Sequence, residues 1–266
     1  MSALTDRLDQ IKAEGRSALI GYLPVGYPTV ERSIRAMEVM VEAGVDIVEV
    51  GMPYSDPVLD GPTIQLAAEA ALSNGTRVAD AFPAVAAVVA AGAPAVVMSY
   101  YNPMLQYGLD RFSEELAAAG GSGVITPDLT PDTGHDWTVA AQANGLDQIY
   151  LVAPSSTAER LHLTAHATSG FVYAASIMGV TGERASVGDA AERLVADTRA
   201  AGAPRVCVGL GVTTGVHAAK VAAYADGVIV GSALVRCLID NDDEEAALAA
   251  LRVKVAELAA GVRGNA

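Results

Sequence analysis

Cysteine, histidine and tryptophan are scarce in this sequence, and charge is both scarce and one-sided. The two cysteines, Cys207 and Cys237, sit in the apolar runs "RVCVGLG" and "LVRCLID" with no CxxC spacing. That excludes a cysteine metal cluster and a disulfide framework, and the pair reads as small buried hydrophobes of a reducing, cytoplasmic compartment. The four histidines, His135, His162, His166 and His217, all fall in helix-like segments. With none at a strand end, no Ser–His–Asp or Cys–His arrangement is visible. His162 and His166 stand four apart but lack the Glu of an HExxH pattern, so solvated helix residues are expected and no metal is called for.

Basic residues are outnumbered, 17 Lys+Arg against 31 Asp+Glu, for a net charge of −14. Such a surface repels a phosphate backbone and argues against nucleic acid. It leaves room for a small phosphorylated ligand, which backbone N–H groups hold without net positive charge. Residues 81–109 carry no charge at all, yet Pro83, Gly92, Pro94 and Pro103 interrupt them. A buried helix, a turn and a buried strand are expected there, not a membrane span. The N-terminal "MSALTDRLDQIKAEGRS" is charged throughout and lacks the apolar core of a signal peptide.

What is present is a recurring unit, a helix-like segment closed by glycine and followed by a short Val/Ile-rich run. The runs are "VDIVEV" after Gly44, "PAVVMSY" after Gly92, "GVITPD" after Gly121, "DQIYLVA" after Gly145, "FVYAAS" after Gly170, "PRVCVGLG" after Gly202 and "GVIVGS" near Gly227. An earlier run, "ALIGYLPVG", makes eight. Runs apolar on both faces are how parallel strands covered by helices read. Between them Val30, Ile34, Met37 and Val41 share one helix face, as do Leu248, Leu251, Val255 and Leu258. Ser156 and Glu159 are spaced as a capping box. Leu4, Leu8 and Ile11 predict an extra helix at the base. Eight such units over 266 residues predict a single-domain α/β protein, a (β/α)8 TIM barrel spanning 1–266. An open doubly wound sheet would alternate likewise, but no GxGxxG follows the first strand.

A barrel does its chemistry at the C-terminal strand ends. Glu49 lies there, in "DIVEVG". A lone charge in a doubly covered strand is costly unless it is paired or neutralised. Either a core Arg or Lys meets it, or it is a general acid/base with a raised pKa. Asp60, in "SDPVLDGPTIQ", is either a second functional carboxylate or a turn former capping the helix at Pro62–Thr63. Asp56, before Pro57, reads as a turn or surface residue. Late in the chain "GLGV" and "VGSA" follow the last two strands, where barrels often bind phosphate. Gly209 and Gly211 would bring backbone N–H groups close to an anion, and Ser232 would add a hydroxyl. Tyr22, Met98, Tyr100 and Tyr173 are the side chains expected around the mouth.

"VEVGMPYSDPVLDGPTIQ" at 48–65, "YYNP" at 100–103, "GVTG" at 179–182, "GLGV" at 209–212 and "GSA" at 231–233 together resemble the tryptophan synthase α chain family. The likeness runs along essentially the whole chain, in order. It implies a retro-aldol lyase that splits indole-3-glycerol phosphate into indole and glyceraldehyde 3-phosphate, with no cofactor of its own. By the same resemblance Glu49 does the acid/base work and Asp60 pairs with the indole N–H. Tyr22, Ile64, Met98, Tyr100 and Tyr173 would surround the substrate. Thr181 would sit on a closing loop and contact Asp60, and Gly182, Gly211, Gly231 and Ser232 would hold the phosphate. The implied partner is a β chain carrying pyridoxal phosphate in an α2β2 heterotetramer, touched by Tyr54, Asp56 and Pro57. The chain departs from the family's common pattern at Tyr22 and Leu210, where phenylalanine is usual, and in "LPVGYP". Competing readings are a histidine-biosynthesis isomerase, which would carry a carboxylate on the first strand, a stand-alone indole-releasing lyase, and a non-catalytic barrel that only activates a β chain.

Overall fold

The computed structural model describes residues 2–175, 184–209 and 211–264. The strands are β1 (Ala18–Pro24), β2 (Ile47–Gly51), β3 (Ala95–Met98), β4 (Gly123–Ile125), β5 (Asp147–Ile149), β6 (Leu151–Val152), β7 (Val172–Ala175), β8 (Val206–Gly209) and β9 (Gly227–Val230). Their order in the sheet is β5-β4-β3-β2-β1-β9-β8-β7-β6, and every pairing is parallel. The two ends of that order are one stave. The expected fifth run, "DQIYLVA", is interrupted at Tyr150, its lower half paired with β4 and its upper half with β7. The Tyr150 carbonyl accepts the Tyr173 N–H at 3.0 Å, so the ladder continues through the gap. The stagger of a closed barrel explains the split, because one stave meets its two neighbours at different heights. Eight staves therefore close the predicted (β/α)8 barrel.

Alternation along the strands sorts the side chains into two cores. Inward-facing Ala18, Ile20, Ile47, Val96, Ile125, Ile149, Phe171, Cys207 and Ile229 form one cluster with Leu4, Leu8 and Ile11. The latter three come from the helix Ala3–Ala13, which stops the base of the barrel as expected. Outward-facing Val48, Val50, Val97, Val124 and Val208 pack under the helical layer. Charges ring the plug. Arg7 and Arg16 reach the buried Asp46 carboxylate at 2.7 and 2.8 Å, and Arg205 reaches Asp9 at 2.6 Å. Ser2 donates to Asp147.

The uncharged stretch forms the helix Ala81–Ala90, β3 and the helix Tyr101–Tyr107. Among the described residues no helix is long and apolar enough to cross a membrane. Some local expectations shift. The helix Ala158–Ala167 is capped by Thr157, whose side chain accepts the Arg160 N–H, while Ser156 Oγ accepts the Ala153 N–H at 3.0 Å. The hydroxyl nearer the helix wins the cap. Before β4 the residue with positive φ is Gly120 (83°), one position ahead of Gly121. Cys237 is half-buried, whereas Cys207 is fully buried.

Candidate active site

Strand alternation decides what faces the mouth. On β2, Ile47 points inward, Val48 outward, and Glu49 inward again, one layer above the apolar plug. Register sets Glu49 between Tyr22 on β1 and Val96 on β3. Its side chain lies on the floor of a cavity of about 580 Å³ at the C-terminal strand ends. Glu49 is 1% exposed, and its Oε2 has no hydrogen-bond partner among the described residues. No ion pair reaches it among the described residues, so the core-cation alternative finds no support there. Burial first, and the nearby Asp60 charge second, push its carboxyl up to about 8.

Asp60 comes from the loop after β2 and faces the same cavity. The helix Pro62–Ser73 opens with Pro62 at its first turn and Gly61 at the cap, with no side-chain cap bond. The Asp60 carboxylate therefore caps nothing. Its backbone carbonyl accepts from Gln65 Nε2 at 2.8 Å, and its Oδ1 accepts from the Tyr100 hydroxyl at 3.0 Å. Burial raises the Asp60 carboxyl from its ordinary value, and the Tyr100 bond works against that rise. The two carboxyls thus differ. Glu49 is fully buried with an oxygen unpartnered among the described residues, whereas Asp60 is half-buried and accepts the Tyr100 bond.

Tyr22, Ile64, Met98 and Tyr173 line the cavity as expected. Leu151 and Ile229 join them. The sequence reading passed over both, although each lies two residues from an inward position on its own stave, Ile149 and Gly231. Burial holds the phenols of Tyr22 and Tyr173 well above their ordinary value, so both remain neutral. Their rings explain two strand-end glycines. A Cβ on Gly51 would meet the Tyr22 ring at 2.4 Å, and one on Gly209 would meet the Tyr173 hydroxyl at 2.4 Å. Gly209 thus makes room for an aromatic ring, a reason different from the expected approach to an anion. Tyr100 is buried behind Asp60 and does not line the cavity.

Gly211, Gly231 and Ser232 also line the cavity. Gly231 caps the helix Ser232–Ile239 without a side-chain bond. The first N–H groups of a helix have no partner inside it, and here they open at the rim of the cavity. Thr181 and Gly182, with the rest of "GVTG", and Leu210 lie outside the described residues. Tyr54 stacks on Tyr100 with ring centroids 5.0 Å apart. Asp56 is exposed and accepts from Ser55 Oγ at 2.6 Å, with Pro57 half-buried beside it. All four histidines are exposed on the outer helices; His166 Nδ1 meets the His162 carbonyl at 2.8 Å. Among the described residues no three His, Cys, Asp or Glu side chains converge to hold a metal. A second cavity, about 380 Å³, opens at the base around Asp147 and Arg205. There Ser2 donates to Asp147, and Arg205 pairs with Asp9.

Fold and cavity together define the class, a (β/α)8 barrel with two carboxyls at its C-terminal mouth. The known proteins narrow it. The family model described as "Tryptophan synthase alpha chain" matches residues 8–263. The tryptophan synthase alpha chain of Mycobacterium ulcerans is 58% identical over 262 residues, covering 98% of this chain and 95% of that one. That of Thermobifida fusca is 54% identical and covers both chains fully. Among solved structures, tryptophan synthase from M. tuberculosis in its aminoacrylate-bound form superposes with a TM-score of 0.90 at 52% identity, over 98% of this chain and 100% of that one. The alpha chain from Legionella pneumophila gives 0.88 at 30% identity, over 98% and 97%. The chain belongs to the tryptophan synthase alpha chain family.

Proposed function

We propose that Glu49 and Asp60 carry this family's lyase reaction in this chain. As an α chain of tryptophan synthase, the protein cleaves indole-3-glycerol phosphate to indole and glyceraldehyde 3-phosphate in tryptophan biosynthesis. The bond to be split joins indole C3 to the glycerol chain. Protonating C3 turns the ring into an electron sink. The observation that carries the assignment is a buried Glu49 carboxyl held up to about 8, facing the same cavity as Asp60. Glu49 enters the reaction protonated and gives its proton to C3. Positive charge then develops on the ring nitrogen, and ionised Asp60 accepts the N–H bond and stabilises that charge. The Glu49 carboxylate next removes the proton of the adjacent side-chain hydroxyl. The carbon–carbon bond breaks, its electron pair returns to the ring, and an aldehyde leaves. One proton goes out from Glu49 and one comes back, so the cycle closes on a single residue.

Ile64, Met98, Tyr22 and Tyr173 would pack on the indole. Backbone N–H groups at Gly211, Gly231 and Ser232 would hold the phosphate at the helix N-terminus, with Gly182 as a further contact, while Thr181 would close over the substrate and meet Asp60. The ring itself takes up the electrons, so the α chain uses no cofactor; pyridoxal phosphate belongs to the β chain. The partner is that β chain, in an α2β2 assembly, met through Tyr54, Asp56 and Pro57.

The test is indole release from indole-3-glycerol phosphate by the purified chain, with and without a cognate β chain. Slow release that accelerates on adding β supports both the lyase and the partnership. Equally fast release without β points to a stand-alone lyase. No release by the folded protein in either condition rejects the mechanism, leaving a barrel that only activates β or binds another phosphate ester.

A further inference from the structure

We infer that Tyr100 is a positioning residue for Asp60, its hydroxyl fixing both the aim and the charge of that carboxylate. Three consecutive residues wrap one phenolic oxygen. The Val58 and Leu59 N–H groups each donate to Tyr100 Oη at 3.1 Å, and the hydroxyl donates onward to Asp60 Oδ1 at 3.0 Å. Both lone pairs of the oxygen are used, so its single proton is directed at Asp60. Two N–H donors on that oxygen also polarise the O–H and strengthen the bond it makes.

The loop needs such a tie. Val58 is 71% exposed and Leu59 45%, so their side chains do little to anchor it. Tyr100, in contrast, is buried at the start of the helix Tyr101–Tyr107 and stacked against Tyr54. A rigid element thereby fixes a carboxylate borne on a mobile class of structure.

The charge argument is independent of the geometric one. The titratable groups facing Asp60 from the elements packed around it are Glu49 on β2, Tyr22 on β1, Tyr173 on β7 and Tyr100 itself. All are acids; among the described residues no Lys or Arg comes near to hold Asp60 ionised. Tyr100 donates a hydrogen bond to its carboxylate, and the Tyr100 phenol, pushed up to about 12 mainly by burial, keeps its proton throughout the working range. Removing the hydroxyl leaves a carboxylate in an apolar wall without its donor.

The role in turnover rests on the lyase reading above; the effect on Asp60 does not. The experiment therefore has two arms. Protein labelled with carboxyl-¹³C aspartate is titrated by NMR without substrate, with the Asp60 signal identified by its loss in Asp60→Asn. In Tyr100→Phe that signal titrates about one pH unit or more above its wild-type position. In the second arm indole release is followed against pH. Tyr100→Phe loses about 10- to 100-fold in kcat near neutrality, and the acid limb moves up with the carboxyl. In an Asp60→Asn background the same change costs less than about 3-fold, because the two residues act as one unit. Circular dichroism and Trp137 emission check that each variant is folded. An unmoved Asp60 titration overturns the inference, as does an equal loss in the two backgrounds. If the wild type releases no indole, the lyase reading fails, and the NMR arm alone judges whether Tyr100 sets the charge of Asp60.

Discussion

A single buried carboxyl makes a pH-dependent contribution that its replacement removes. Glu49 titrates near 4.5 in an unfolded chain and at about 8 in the folded one. Between those values the folded state keeps a proton that the unfolded chain has lost. The stability tied to that proton is complete below about 4.5, falls as pH rises towards 8, and changes no further above it. The loss across that window is on the order of 5 kcal/mol. Glu49→Gln should abolish it, so the stability difference between variant and wild type, measured in denaturant, should grow in favour of the variant from pH 5 to pH 9. A difference that stays flat with pH would place the Glu49 carboxyl in an ordinary solvated range. The same variant should lose at least about 100-fold in indole release, as removal of a general acid/base does. Glu49 was legible in the sequence because a charge inside an Ile/Val run has few structural excuses. The part played by Tyr100 was not. Its hydroxyl meets residues about forty positions away, and no local spacing encodes that meeting.

At the scale of the element, the strand ends and the plug obey different constraints. Gly51 and Gly209 leave space for the Tyr22 and Tyr173 rings. Gly209→Ala should push the Tyr173 ring out of place and cost about 1–3 kcal/mol. Removing the hydroxyl that the new methyl strikes, in Gly209→Ala/Tyr173→Phe, should recover part of that loss in thermal unfolding. No recovery would show that the glycine answers to backbone demands instead. Ile11→Ala on the plug helix should cost about 2–5 kcal/mol, since it opens a cavity under the barrel, while indole release per folded molecule stays unchanged. The plug was readable from the spacing of Leu4, Leu8 and Ile11. The interruption of the fifth stave at Tyr150 was not, because it follows from barrel stagger, a property of the closed ring. The shift of the cap from Ser156 to Thr157 has a similar origin. Two neighbouring hydroxyls satisfy the same local rule, and the Ala153 turn claims the first.

Across the whole molecule the two ends of the barrel divide the work. The base is closed by apolar side chains and matched charges, and the mouth holds a carboxyl pair without a matching cation among the described residues. The surface is acidic, with a net charge of −14, so a partner approaching the mouth meets repulsion unless its own surface is complementary. The loop after β2 joins the two scales. It carries Asp60, Val58 and Leu59 along the cavity and leaves Asp56 exposed to solvent. If a β chain docks there, an exposed charge on the loop affects association while lying outside the acid/base pair. Asp56→Lys should then weaken β-chain binding by about 10-fold in titration calorimetry and leave indole release by the isolated chain within about 2-fold of wild type, since a rim charge acts mainly on encounter and specificity. Saturating β chain should restore full activation in the variant, because the defect is one of occupancy. A variant that binds β normally would move the docking surface away from this loop. One that loses isolated turnover would show that Asp56 reaches the site through its neighbour Asp60.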